Sequence, residues 1–337
     1  MKFINILHPV IRLAYIVAYA KLKFVSQLVW GIEIWPRHSF LTNAFVPLKS
    51  DLDLTAYVSN LDSLGAYLRF YKVFKKLLPF IGELNIYTPE TINFIKNWDV
   101  NGFELERDPI LARRFGIDLN NKKYFSREKA ISYLLMALIN DLHKLKAHPG
   151  ARLKKWNYHF GHVNSTFLKH EISAKTVVLD ETTVIFSIIT AIVNLSSPAS
   201  AKQAELLRTK VRFCLELVPQ AENVPNFIDI VTPAIANENA DVYGYFVEYL
   251  ANTGSHLPDL SQLQYEVMSE QVKWVLFKFL KQSYSESAIA AAIRGLEDFR
   301  SLIEQYQQTT LLGNAADLLA YLDVGSEIII KRRRLKL

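Results

Sequence analysis

Asp51 and Asp53 stand two positions apart in the stretch SDLDLTAYV. Side chains of an extended strand alternate in direction, so these two carboxylates share one face. Glu83 is a third acid in a stretch of the same kind, IGELNIY. There Leu84 and Ile86 point one way, and Glu83, Asn85 and Tyr87 the other. Carboxylates gathered in a partly dry site repel, and each raises the pKa of its neighbours. A multivalent cation relieves that repulsion, and an all-oxygen donor set suits Mg²⁺ or Mn²⁺. Two such ions clamp the attacking and leaving oxygens of an in-line phosphoryl displacement. If the two strands lie in one sheet, Asp51, Asp53 and Glu83 converge, and the two aspartates are the expected metal ligands.

The elements that must hold these residues follow from periodicity. Leu52, Leu54, Ala56 and Val58 alternate with Asp51, Asp53, Thr55 and Tyr57, which predicts a half-buried strand. Leu61, Leu64, Leu68, Tyr71 and Phe74 recur at helical spacing and predict a helix over 59–80, capped by Ser59 or Asn60. Residues 81–87 read as the next strand. Upstream, 5–28 reads as an amphipathic helix packed on the protein, 31–35 as a strand stopped by Pro36, and 40–49 as a loop. Beyond residue 90 the pattern turns helical, with helices expected at 127–146, 181–195, 199–218, 240–252, 261–283, 285–307 and 314–322. The expected fold class is α+β: a small mixed-sheet domain, 1–110, followed by a mostly α-helical domain, 111–337. A chain of 337 residues is long enough for two cores.

These residues carry a resemblance. Asp-x-Asp on a strand, preceded by a Gly-Ser turn and followed by a third carboxylate on a later strand, is the signature of the polymerase β-like nucleotidyltransferase superfamily. The present chain resembles it over about residues 28–90, where His38 and Ser39 stand in place of Gly-Ser, twelve residues before Asp51. The helical remainder is similar to the second domains of aminoglycoside nucleotidyltransferases, by analogy of fold alone. The resemblance implies a Mg-dependent (or Mn-dependent) transfer of a nucleoside monophosphate from an NTP. The acceptor would be a hydroxyl or phosphate of an unidentified small molecule or glycan. It implies that Asp51 and Asp53 hold the metal ions. Glu83 would hold the second metal or act as general base. Ser39 and the nearby backbone would hold the phosphates, with His38, Arg37, Lys49 and Ser50 as further nucleotide-binding candidates. A glycine lets backbone approach phosphate closely, and His38 carries a side chain instead. Two alternatives therefore stand beside catalysis: an inactive binding or regulatory module on the same fold, and an RNA-modifying nucleotidyltransferase.

Composition frames these expectations. The net charge of +6 conceals an acidic segment. No Lys or Arg lies between Arg212 and Lys273, where nine acids fall, leaving about +15 for the rest of the chain. The C-terminal KRRRLKL reads as a solvated end that offers a peripheral contact to anionic lipid or nucleic acid, the nucleic acid not being favoured. Cys214 is the only cysteine, which excludes an internal disulfide, and it is expected to be buried. The N-terminal apolar stretch is interrupted by Arg12, Lys21 and Lys23, short of the ~20 residues a span needs. Residues 182–201 lack charge but are diluted by Thr, Ser and Asn, and read as a core helix. No transmembrane segment and a cytoplasmic location are expected. His159 and His162 lack a third ligand at convincing spacing and read as hydrogen-bonded histidines rather than a zinc site. No P-loop, G-x-G-x-x-G or G-x-S-x-G motif is present.

Overall fold

The computed structural model describes residues 2–41, 51–130, 262–282, 286–306 and 315–334, with scattered helical residues between 132 and 170. The expected helices 181–195, 199–218 and 240–252, and Cys214, lie outside the described residues. The described part is mixed α/β, mostly helical, with one small three-stranded mixed sheet.

The chain begins with helix α1, Lys2–Trp30. Gly31, at a positive φ of 65°, ends it, with its N–H bonded to Gln27 O and that of Ile32 to Ser26 O. Only glycine enters this left-handed region without strain, which is why a helix that long stops there. Strand β1, Glu33–Pro36, follows. Pro36 closes the strand from within rather than preceding its end, as an edge position tolerates a residue without an N–H. Strand β2, Leu52–Tyr57, lies at the centre of the sheet, antiparallel to β1 and parallel to β3, Ile81–Tyr87. Helix α2, Leu64–Leu77, makes the β2–β3 crossover that a parallel pair requires. It is shorter than the expected 59–80 because Leu61–Ser63 form a tight 3-10 turn, which Asn60 caps by accepting from Asp62 N.

The sheet has two chemically distinct faces. Ile34, Leu52, Leu54, Ala56 and Ile86 form the apolar face. α1 covers it with Tyr15 and Leu22, and α2 with Leu64, Tyr67 and Tyr71. Trp30 joins the two helices, its ring 5.6 Å from that of Tyr67 and 4.8 Å from that of Phe70. Each fully buried aliphatic side chain stabilises by ~1.5–3 kcal/mol, so this cluster anchors the head of the molecule.

The other face carries Trp35, Asp53, Thr55 and Asn85. Three short helices close it: α3 (Pro89–Asn97), α4 (Gly102–Leu105) and α5 (Pro109–Phe115). Asp108 ties the last of these to the sheet. It caps α5 by accepting from Leu111 N at 3.2 Å, takes the Trp35 indole N–H at 3.0 Å, and accepts from Thr55 Oγ1. Three C-terminal helices follow: α6 (Gln262–Lys281), α7 (Glu286–Tyr306) and α8 (Ala315–Arg334). α6 packs on α8 and reaches β3 with its C-terminal end. The expected core run WVLFKFL lies in α6, with Trp274, Leu276, Phe277 and Leu280 buried.

One residue of the basic tail, Arg332, departs from a solvated end. α8 runs past the expected 314–322 to Arg334. Arg332 is buried, and its guanidinium donates to Leu280 O, one of the carbonyls that the end of α6 leaves without an intrahelical partner. Lys331 pairs with Glu90 at 3.3 Å. Among the described residues, no helix is long and apolar enough to cross a membrane.

Candidate functional site

β2 and β3 bring the Asp53 carboxylate onto the backbone of Glu83. Asp53 Oδ1 accepts the backbone N–H of Glu83 at 2.9 Å. Asp51 lies exposed at the entrance to β2. Both aspartates share Gly82 as a neighbour: a Cβ on that residue would press into Asp53 Oδ1 and stand 2.9 Å from Asp51 Cβ. Gly82 thus leaves room for the Asp53 carboxylate and the Asp51 Cβ against bare backbone. Any other residue there displaces them.

Arg37 is the third expected residue at this place. Its backbone N–H bonds to Asp53 O at 3.0 Å, and its side chain is buried, 3.7 Å from Glu104. His38 and Ser39 open a short 3-10 turn, His38–Leu41. Their side chains, and Lys49 and Ser50 entirely, lie outside the described residues.

Glu104 is the residue that sequence reasoning missed. This buried carboxylate, from α4, is surrounded by four cations. Arg37 comes from the end of β1, Arg107 from the turn after α4 at 3.4 Å, and Lys278 at 3.5 Å and Lys281 from the end of α6. Burial alone would push the Glu104 carboxyl up, but Lys278, Lys281, Arg107 and Arg37 hold it well below the carboxylate range. The same cluster has more positive charge than one carboxylate balances. Burial and the neighbouring Lys278 and Arg37 push the Lys281 ammonium well down despite its contact with Glu104.

The cation cluster also acts on the expected metal ligands, with opposite results. Burial raises the Asp53 carboxyl, and Arg37 offsets only part of that while Glu83 adds to it. Around Glu83 burial is outweighed by Lys278, Arg37 and Arg107, which bring its pKa down to about 2. Glu83 is nonetheless exposed, with Lys278, Arg37 and Arg107 near enough to act on its charge. Gln282, at the end of α6, donates to Glu83 Oε2 at 3.4 Å and to Asn85 Oδ1 at 3.2 Å. One weak sign of this arrangement was present in the sequence: Lys278 and Lys281 sit three apart in an otherwise apolar helical run. NGFELERDPI, which supplies Glu104, Arg107 and Asp108, shows no pattern that points to the sheet.

An all-oxygen set of two aspartates fits Mg²⁺, which commonly binds one or two carboxylates and completes its shell with water and substrate phosphate. Among the described residues, no group of three or more His, Cys, Asp or Glu stands close enough to hold a metal by itself. Asp51 and Asp53 are the two acids that lie next to Gly82. His159 and His162 lie elsewhere. His159 shares a 2.8 Å hydrogen bond with the Tyr133 hydroxyl, and His162 Nε2 donates to Phe103 O at 3.1 Å.

No family model, no curated protein and no solved structure matches this chain.

Proposed function

We propose that the protein is a metal-dependent nucleotidyltransferase whose reaction centre lies between the carboxylates of β2 and β3 and the cation cluster around Glu104. The observation that carries this reading is the placement of Asp51 and Asp53 next to Gly82, with Asp53 bonded to the backbone of Glu83. Asp51 and Asp53 would hold the ion, which would supply Lewis-acid stabilisation of triphosphate charge. Glu83 is held ionised by Lys278, Arg37 and Arg107. Such a low pKa makes it a poor proton acceptor at neutral pH, so it suits a permanently charged ligand better than a general base. Arg107 and Lys278 pair with Glu104 and act on Glu83, and would be the cations nearest the negative charge that a departing pyrophosphate develops. The substrates on this reading are an NTP and a hydroxyl or phosphate acceptor of a small molecule or glycan. The division into 1–110 and 111–337 belongs to the same proposal.

A second reading has its own observation. Glu104 already engages all four cations, so a phosphate must compete with a built-in carboxylate. That arrangement suits a non-catalytic module on the same scaffold. Calorimetry of the full chain with ATP, GTP, CTP and UTP in the presence of Mg²⁺, combined with pyrophosphate release over a panel of hydroxyl acceptors, separates the two. Binding with release that is lost in Asp51→Ala and Asp53→Ala supports the enzyme. Binding without release supports the module. Normal release in either variant overturns the metal assignment. Gly82→Ala offers an independent check, since it alters no ligand. Its added methyl displaces both aspartates, and Mn²⁺ binding followed by electron paramagnetic resonance should weaken at least about tenfold, the scale on which support around a metal acts.

A further inference from the structure

We propose that the outer face of α1 and α2 docks the protein on an anionic lipid surface. The buried side of α1 carries Tyr15, Ala18, Leu22 and Ser26. On the opposite side, Val10, Leu13, Val17, Phe24 and Leu28 recur at helical spacing, and each is exposed, Phe24 by 65% and Leu28 by 70%. The exposed face of α2 adds Val73 and Leu77. Thirteen large apolar side chains are exposed among the described residues, and nine of them lie on these two helices. Isolated exposed apolar residues need no explanation, but a concentration of this kind marks an interaction surface.

Charge identifies the occupant. α1 carries Lys2, Arg12, Lys21 and Lys23, and α2 carries Arg69, Lys72, Lys75 and Lys76, with no acid in either helix. Arg12 and Lys23 flank the apolar stripe of α1 on one side and Lys21 on the other, as the helical spacing places them. An apolar stripe bordered by cations is the pattern of a helix lying in the plane of a membrane interface. There its apolar side chains enter the acyl boundary and its Lys and Arg reach headgroup phosphates. A second copy of this chain fits poorly, because it would bring another acid-free, basic face against the first. α1 and α2 cover the same side of the sheet, so the surface lies on the side away from Asp53 and Glu83. A docked molecule would keep that polar face turned to solvent.

The test uses the full chain and no nucleotide, so it stands or falls apart from the catalytic reading. Co-sedimentation with large vesicles of phosphatidylcholine containing about 30% phosphatidylserine should show binding. Binding should fall at least about tenfold on pure phosphatidylcholine or in about 0.5 M NaCl. The doubly substituted Phe24→Ser, Leu28→Ser chain and the doubly substituted Lys21→Glu, Lys23→Glu chain should each lose about tenfold while keeping the wild-type circular dichroism, since all four residues are exposed. Absence of binding to the phosphatidylserine vesicles overturns the proposal, as does equal binding by the serine variant. A wild-type dimer that sedimentation shows to dissociate on the Phe24→Ser, Leu28→Ser change would instead assign the face to self-association.

Discussion

Glu104 is the residue on which the electrostatics of the head depends. A buried carboxylate that compensates four cations cannot be neutralised without leaving them facing one another. Breaking a buried ion pair from one side costs about 3–5 kcal/mol. Glu104→Gln should therefore lower stability by about that amount in urea unfolding, with a larger effect than removal of any exposed acid. Glu83 gives a prediction in pH. Its pKa lies below the ordinary 4.5, at about 2, so it contributes stability above pH 4.5 that is lost as pH falls towards 2. Solvent screening at this exposed group trims the effect. Comparison of urea midpoints across that window should show a steeper acid decline in wild type than in Glu83→Gln. Asp53 acts in the other sense. Burial raises its pKa, so a bound Mn²⁺ should be released on acidification at a higher pH than an ordinary aspartate would allow.

Asp108 does at the level of elements what Glu104 does for charge. One side chain caps α5 and bonds two residues of the sheet, so the short helix and the polar face are fixed together. Loss of an N-cap costs ~0.5–2 kcal/mol, and leaving buried donors without partners costs ~1–3 kcal/mol each. Asp108→Ala should then destabilise by about 2–4 kcal/mol in chemical denaturation. Asp108→Asn should recover part of the cap. α1 shows how an element can satisfy two requirements. One side completes the apolar core, and the other leaves an apolar stripe that the fold itself does not cover.

For the whole molecule, the decisive contact is α6 against the sheet. Lys278, Lys281 and Gln282 arrive some two hundred residues after β3, the two lysines pairing with Glu104 and Gln282 bonding to Glu83. α6 is held in turn by α8, where Gly325 lies against the Leu276 side chain with no room for a larger residue. Gly325→Val should separate α6 from α8 at a cost of about 1–3 kcal/mol, as overpacking does. It should also move the pKa of Glu83 upward by drawing Lys278 away, which NMR titration of the carboxyl would register. An unchanged Glu83 titration in the destabilised variant would show that the end of α6 is positioned by the sheet alone.

The head of this fold was largely legible in its residues. The alternation in SDLDLTAYV and IGELNIY specified two strands, their apolar positions and the common direction of Asp51 and Asp53, because side-chain direction in a strand is local geometry. Gly31, read as the start of a strand over 31–35, instead ends α1, and the strand begins at Glu33. What periodicity could not specify was anything that depends on distant chain segments meeting. Glu104 read as an ordinary acid, Lys278 and Lys281 as charges on a core helix, and KRRRLKL as a solvated end. Their roles arise only when α4, the end of β1 and the ends of α6 and α8 meet on one side of the sheet. The sequence by itself determined which carboxylates share a strand face, since that follows from a period of two. The tertiary structure decided which cations surround them, since a charge set into a protein interior is defined by neighbours that no local pattern records.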